Sequence, residues 1–255
     1  MSAAIALKSV EKTFGTGSEA VHAFGPADLD IQPGEFVSLL GPSGCGKSTV
    51  MLMMAGLLER SQGDILVDGR SVDRPQTDIG IMFQDNTLMP WRTVQGNVEV
   101  QLEMRGLPLD DYREKIQDLL NKVHLNGFEH RLPSELSGGM QQRAAFCQAL
   151  IHEPETVLLD EPLGKLDAMT RERIRHDLQA LWMDRKPTVV FVTHSIEEAV
   201  QLSTRVCIIT PRPGIIDRII PIDLPWPRNL DVKKSPAFAN YLAEIQEVFH
   251  GYGVL

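Results

Sequence analysis

A short apolar run, Phe36–Leu40, leads without a break into Gly41-Pro42-Ser43-Gly44-Cys45-Gly46-Lys47-Ser48-Thr49, and from there into a helical pattern over Ser48–Leu58. No other feature of the chain narrows its fold as much. The nonapeptide fits G-x-x-x-x-G-K-[ST], the phosphate-binding loop pattern, and it stands between a strand and a helix, where such a loop has to stand. Glycines let the backbone curl tightly enough for its N–H groups to converge on phosphate oxygens, and the positive end of the following helix adds to the field. Lys47 then serves as counter-charge to the β- and γ-phosphates of a nucleotide, with Ser48 as an oxygen ligand for Mg2+. Such a loop predicts an α/β sheet whose ligands lie at the carboxyl ends of its strands.

The rest of the chain keeps that rhythm. Apolar or β-branched runs recur at Ile79–Phe83, Val157–Leu159, Val189–Thr193 and Val206–Thr210, and helical patterns follow at Arg171–Met183 and Ile196–Leu202. Strands alternating with helices predict a parallel sheet with crossover connections. Between Gln84 and His152 helical periodicity replaces the strand rhythm, at Tyr112–Val123 and Gly139–Ile151, which predicts a helical subdomain inserted into the sheet domain. Alternation at Ile5–Val10 and Ala27–Ile31 predicts an antiparallel sheet beside the core. Prolines cluster after Val206, and a helix at Pro236–Phe249 is expected to close the chain.

Composition removes several function classes. With 255 residues, 43% of them hydrophobic, the chain can bury a sizeable core. A net charge of −9 leaves no broad basic surface for phosphates along a polymer, which argues against nucleic acid as a partner. Cys45, Cys147 and Cys207 are widely spaced and form no CxxC pair, so neither disulfides nor zinc is expected and a reducing compartment fits. The N-terminus lacks the basic start, apolar stretch and small-residue cleavage site of a secretory leader, and the chain is expected to stay in the cytoplasm. The longest apolar run, Val50–Leu58, spans 9 residues, too few to cross a bilayer as a helix. Membrane association is therefore expected to go through a partner protein.

Two further segments suit a nucleotide. Thr156–Leu159 is an apolar strand ending in the acids Asp160 and Glu161. At the carboxyl end of a strand, Asp160 can hold the Mg2+ side of the site while Glu161 faces the γ-phosphate and polarises a water. Taken alone, such a pair is more often a solvated turn or a helix cap; coupled to the phosphate loop, the balance reverses. Leu136-Ser137-Gly138-Gly139-Met140-Gln141-Gln142-Arg143 places Ser-Gly-Gly at a helix start, a second anion site in a chain where one nucleotide needs only one.

Taken together these motifs resemble the ABC ATPase family, whose signature reads LSGGQ, over essentially residues 3–220. The resemblance implies a single P-loop ATPase domain over 1–255: a nucleotide-binding core at 1–84 and 153–220, a helical subdomain at 85–152 and a C-terminal tail at 221–255. It also explains the surplus anion site. In the family the signature of one subunit closes over ATP held by the phosphate loop of the other, which implies a head-to-tail homodimer and trans contacts from Ser137, Gly138, Gly139, Met140 and Gln141. Gln84 matches the glutamine that senses Mg2+ and the permease, Asp167 the acid that communicates across the dimer, and His194 the switch histidine that contacts the γ-phosphate. Phe14 resembles the aromatic that stacks on adenine, or else packs in the core. Two positions depart from the pattern. Met140 stands where glutamine is usual, and Lys165 where a small residue is common, so that its charge would act on dimer affinity.

Within the family, Leu88–Val94, Phe191–Ala199 and Thr210–Gly214 look like the nitrate/sulfonate/taurine branch of bacterial importers. That branch implies a separate membrane permease, an extracytoplasmic solute-binding protein, and a place for this chain on the cytoplasmic face of the inner membrane. Met82, Met89 and Trp91 then line a groove for the permease's cytoplasmic helix, or belong to the subdomain core. A GTPase would carry N-K-x-D, which Asn121-Lys122-Val123-His124 fails. Lys47 and Ser137 lie 90 residues apart, too close for the long coiled coils of the repair proteins, and a single cassette argues against translation-type members. Bicarbonate or a pyrimidine precursor as cargo, and a non-transport ABC ATPase, stay open as alternatives.

Overall fold

The computed structural model describes residues 2–85, 87–164 and 166–254; the Lys165 expectation thus falls outside the described residues. A six-stranded sheet forms the centre, in the order β10 (Ile216–Pro221), β9 (Arg205–Ile209), β3 (Phe36–Leu40), β8 (Thr188–Thr193), β7 (Thr156–Asp160), β6 (Ile79–Met82). All neighbours run parallel except the final pair, β9 and β10. β3, β7 and β8 are buried at every residue, which is why each is a continuous apolar run rather than an alternating one. Because β3, β8, β7 and β6 lie side by side and point the same way, their carboxyl ends open on one edge. Residues near positions 41, 84, 161 and 194 are gathered there.

A second sheet, antiparallel, covers one side. Its strands β1 (Ile5–Phe14), β2 (Val21–Ile31), β4 (Gln62–Val67) and β5 (Arg70–Ser71) are ordered β2-β1-β4-β5. In β1, Ile5 pairs with Ile31 and Leu7 with Leu29, and the same alternation buries all four side chains. The helix α1 (Lys47–Met54) lies between the sheets, where Val50, Met51, Met53 and Met54 are buried. Each such side chain contributes about 1.5–3 kcal/mol through the water it sheds. The sequence pattern predicts α1 as far as Leu58, but the chain breaks at Gly56. That residue takes φ +70°, and a side chain there would run into the Arg74 backbone.

The opposite side carries the helical insertion: α2 (Val94–Glu103), α3 (Arg113–Lys122) and α4 (Gly138–Leu150). Their apolar faces join Val157, Leu159 and Phe191 of the central sheet and Leu178 and Trp182 of α5 (Ala168–Arg185) in one cluster. Helix α6 (Ile196–Leu202) follows β8, and α7 (Leu230–Lys233) with α8 (Pro236–Gly251) forms the tail. The tail packs Phe238, Ile245 and Phe249 against Ala199 and Val200 of α6. Arg228, 1% exposed, locks it in place. Its guanidinium donates to the carbonyls of Val200, Ser203, Ile222 and Leu224, and it stacks 4.1 Å from the centre of the Trp226 ring. Val200 and Ser203 close the carboxyl end of α6, where carbonyls lack helical partners and a cation is favoured. Among the described residues no helix is long and apolar enough to cross a membrane.

Candidate active site

The loop between β3 and α1 owes its shape to glycine at two tight places. Gly46 takes φ +98°, and a β-carbon there would sit 2.7 Å from the Ala23 carbonyl oxygen; one on Gly41 would sit 2.8 Å from Cys45 Sγ and from the Ile209 carbonyl oxygen. Lys47 is buried, its ammonium donating to the carbonyls of Gly41 and Pro42, both at 2.9 Å. The positive charge is thus fixed at the centre of the loop. Phe14, Ser43, Gly44, Gly46, Lys47, Ser48 and Thr49 line one cleft of about 500 Å³, together with Gln84 and Glu161. Phe14 is on the surface rather than in the core, with Lys12 Nζ 5.0 Å from its ring centre.

On the next strands, Ser48 Oγ donates to Asp160 Oδ1 at 3.0 Å. Asp160 is buried, and burial pushes its carboxyl above the usual range, with the Ser48 hydrogen bond pulling the other way and Glu161 adding repulsion. A carboxylate so placed, beside a hydroxyl and at the mouth of a phosphate loop, suits a hard divalent cation that takes oxygen ligands. Among the described residues no group of three or more His, Cys, Asp or Glu could hold a metal by itself.

Glu161 is where the site converges. Its Oε2 accepts from Gln84 Nε2 at 3.2 Å and lies 3.3 Å from His194 Nδ1. Its backbone takes φ +44°, uncommon for a residue with a side chain, while its N–H bonds the Val192 carbonyl at 3.0 Å. Three strand ends, β6, β7 and β8, therefore meet on a single carboxylate oxygen. Such an oxygen, backed by a histidine and an amide, can accept a proton from water.

The signature segment sits at the head of α4. Ser137 caps that helix by accepting from Met140 N–H at 3.3 Å, and a β-carbon on Gly139 would press on Thr170 at 2.9 Å. Gln141 turns back within its own chain, its amide donating to the carbonyls of Pro133 at 2.7 Å and Leu136 at 3.4 Å. It braces the signature turn from behind. Asp167 caps α5 by accepting from the N–H groups of Met169 at 3.1 Å and Thr170 at 3.0 Å, and the Thr170 hydroxyl first, then these N–H groups, hold its carboxyl below the usual range.

Comparison with known proteins decides the family. A family model described as ABC transporter matches residues 24–164. The ABC transporter ATP-binding protein MJ0412 of Methanocaldococcus jannaschii is 42% identical over 97% of this chain and 92% of its own length. The chain belongs to the ABC transporter family. This ABC cassette is also 40% identical, over 96% of its length and 94% of the relative's, to the aliphatic sulfonates import ATP-binding protein SsuB of Bacillus licheniformis. Among solved structures, the dimeric MJ0796 cassette matches it with a TM-score of 0.77 at 34% identity, covering 86% of this chain and 98% of that one. A post-hydrolysis state of MJ0796 bound to ADP and Pi matches equally well. The cassette is thus an ATP-binding, ATP-hydrolysing α/β domain, as its sequence motifs predict.

Sequence reasoning missed part of the cleft. Val21, Ala23 and Arg212 also line it, and Arg212 donates to the Gly44 carbonyl at 3.3 Å. Gly214 lies against the loop so closely that a β-carbon would overlap the Cys45 carbonyl oxygen. Arg212-Pro213-Gly214 is conspicuous in the sequence, but its contacts are to residues some 170 positions away, and no local pattern reports them. Of the groove residues, Met82 is in the core while Trp91 is 74% exposed.

Proposed function

We propose that this chain is the ATPase subunit of an importer for a small anion of the sulfonate, taurine or nitrate type. In this reading it acts as a homodimer on the cytoplasmic face of the inner membrane, joined to a permease and served indirectly by a solute-binding protein. The observation that carries the reading is the meeting of Gln84 and His194 on Glu161 Oε2, at 3.2 and 3.3 Å, beside the buried Lys47. Sulfonate as cargo is supported by the SsuB relatives.

The loop 41–49 binds the phosphates through its backbone N–H groups, and Lys47 balances their charge. Phe14 stacks on the adenine. Ser48 and Asp160 would hold Mg2+, which would supply charge neutralisation on the phosphate tail. Glu161 orients a water in line with the γ-phosphorus and takes its proton as the new P–O bond forms and the bond to ADP breaks. Gln84 and His194 keep the carboxylate in place for that transfer. Ser137, Gly138, Gly139 and Met140 of the second copy close the far side of the γ-phosphate, with Asp167 at the seam. Closure then moves the permease, and loss of the γ-phosphate reopens the pair.

Glu161→Gln tests the chemistry: ATP binding and dimerisation persist while turnover falls by a factor of about 100 or more. Hydrolysis near the unaltered rate would remove Glu161 as the base. For the cargo, the reconstituted transporter is expected to hydrolyse ATP faster with binding protein loaded with an alkanesulfonate than with nitrate, and equal rates would overturn that assignment.

A further inference from the structure

We propose that Glu198 is a positioning residue for ATP hydrolysis, its buried carboxylate joining the turn that ends in Asp167 to the strand end that carries His194. The inference rests on the reading of the site given above. Glu198 lies one turn into α6 and is 5% exposed. Its Oε2 accepts from Thr193 Oγ1 at 2.7 Å, and the same hydroxyl oxygen accepts from the Ser195 N–H at 3.0 Å. The residues on both sides of His194 are thereby tied to one carboxylate. Its Oε1 lies 3.8 Å from Arg171 Nε. Arg171 in turn donates from Nε to the Leu163 carbonyl at 3.3 Å and from Nη2 to the Leu166 carbonyl at 2.9 Å. Those two carbonyls belong to the turn between Glu161 and Asp167. A path of contacts thus leads from Leu166 through Arg171, Glu198 and Thr193 to the neighbours of His194, whose Nδ1 lies 3.3 Å from Glu161 Oε2.

Stability alone gives little reason for this carboxylate. The start of α6 is already capped by Ser195, whose Oγ accepts from the Glu198 N–H at 3.3 Å, and Glu197, paired with Arg175 and Lys233, supplies another first-turn acid. Burial pushes the Glu198 carboxyl up, against the pull of Thr193, Arg175, Arg171 and His194. An apolar side chain of like size would avoid that desolvation. What the carboxylate adds is geometry: it ties the residues flanking His194 to Arg171 and, through it, to the Leu163 and Leu166 carbonyls.

The test compares the full-length ATPase with Glu198→Gln, Glu198→Leu, Arg171→Met and the Arg171→Met/Glu198→Leu double variant, reading kcat, the KM for ATP and the melting temperature. Glu198→Leu is expected to lower kcat about ten-fold or more with KM within about two-fold, because substrate contacts are intact while the reacting geometry is lost. Glu198→Gln, which can still accept from Thr193, retains more turnover than the leucine variant. The double variant loses no more than Glu198→Leu alone, the sign of one shared path. Unaltered kcat in the glutamine and leucine variants, multiplicative losses in the double variant, or a loss shared equally by kcat and KM would each overturn the link. Should the leucine variant fail to fold, Glu198→Gln and Arg171→Met with their own double variant decide in the same way. Failure of the unaltered protein to split ATP counts against the reading of the site; an active protein indifferent to these substitutions counts against the link alone.

Discussion

The Ser48 hydroxyl donates to Asp160 Oδ1 across 3.0 Å, joining two residues 112 positions apart at the adjacent ends of α1 and β7. The pair puts two hard oxygens where the phosphate tail of a nucleotide would lie. Asp160→Asn keeps an acceptor for Ser48 and removes the charge. The Mg2+ concentration giving half-maximal ATPase activity is expected to rise about ten-fold or more. A magnesium titration that superposes on the unaltered protein would show that Asp160 has no part in holding the ion.

The contact of Gly214 with the phosphate loop predicts a second effect. A β-carbon there would overlap the Cys45 carbonyl oxygen, backbone against backbone, so the loop itself has to shift. Gly214→Ala should weaken ATP binding about ten-fold, since the loop N–H groups lose their aim. Gly251→Ala, with nothing within 4 Å of the added carbon, should leave affinity unchanged. Equal affinities for both variants, measured with a fluorescent nucleotide, would refute the role given to Gly214.

What was legible in the sequence depended on how local its cause is. The loop 41–49, the acids after β7 and the Ser137 cap announce themselves because backbone geometry and side chain lie within a few residues of one another. Helix α2 was not anticipated. Thr93 caps it, but Val94, Val98 and Val100 with Gly96 weaken the helical signal, and its apolar face is decided by packing against α4. The strand pair β4 and β5 had a signal that went unused, the Asp68-Gly69 turn between Val67 and Arg70. Arg212 and Gly214 had none, for their partners are brought near only by sheet order, and the approach of Glu198 to Arg171 is set by the packing of α6 on α5.

His152 should make the fold acid-sensitive. Its Nε2 faces the Ile79 carbonyl at 3.2 Å while Nδ1 is buried without a partner, so burial first, then Arg105, pushes its pKa down to about 4. The unfolded chain takes up this proton near pH 6.5 and the folded one only near 4, so stability is lost as pH falls through that window and levels off below it. Allowing for the partial exposure of the ring, the loss is about 1–2 kcal/mol. His152→Gln should flatten the melting temperature between those pH values; an unchanged slope would assign the acid sensitivity elsewhere.

Trp91, 74% exposed just before α2, is a large apolar side chain with no place in the core. Trp91→Glu should release the subunit from its permease, with loss of copurification, while soluble ATP binding is retained. Continued copurification would exclude this face as the permease contact.

The anchoring of Arg228 bears on how subunits of this kind can be recombined. Gln179 and Gln201 both donate to its carbonyl, Gln179 accepts from its N–H, and its side chain reaches back to Val200 and Ser203. A chimera that swaps in a foreign C-terminal segment from the last strand onward would graft one half of this interlock onto a mismatched other half. Exchange points that preserve the ends of α5 and α6 together with position 228, or that move all three as a block, are the ones the architecture permits.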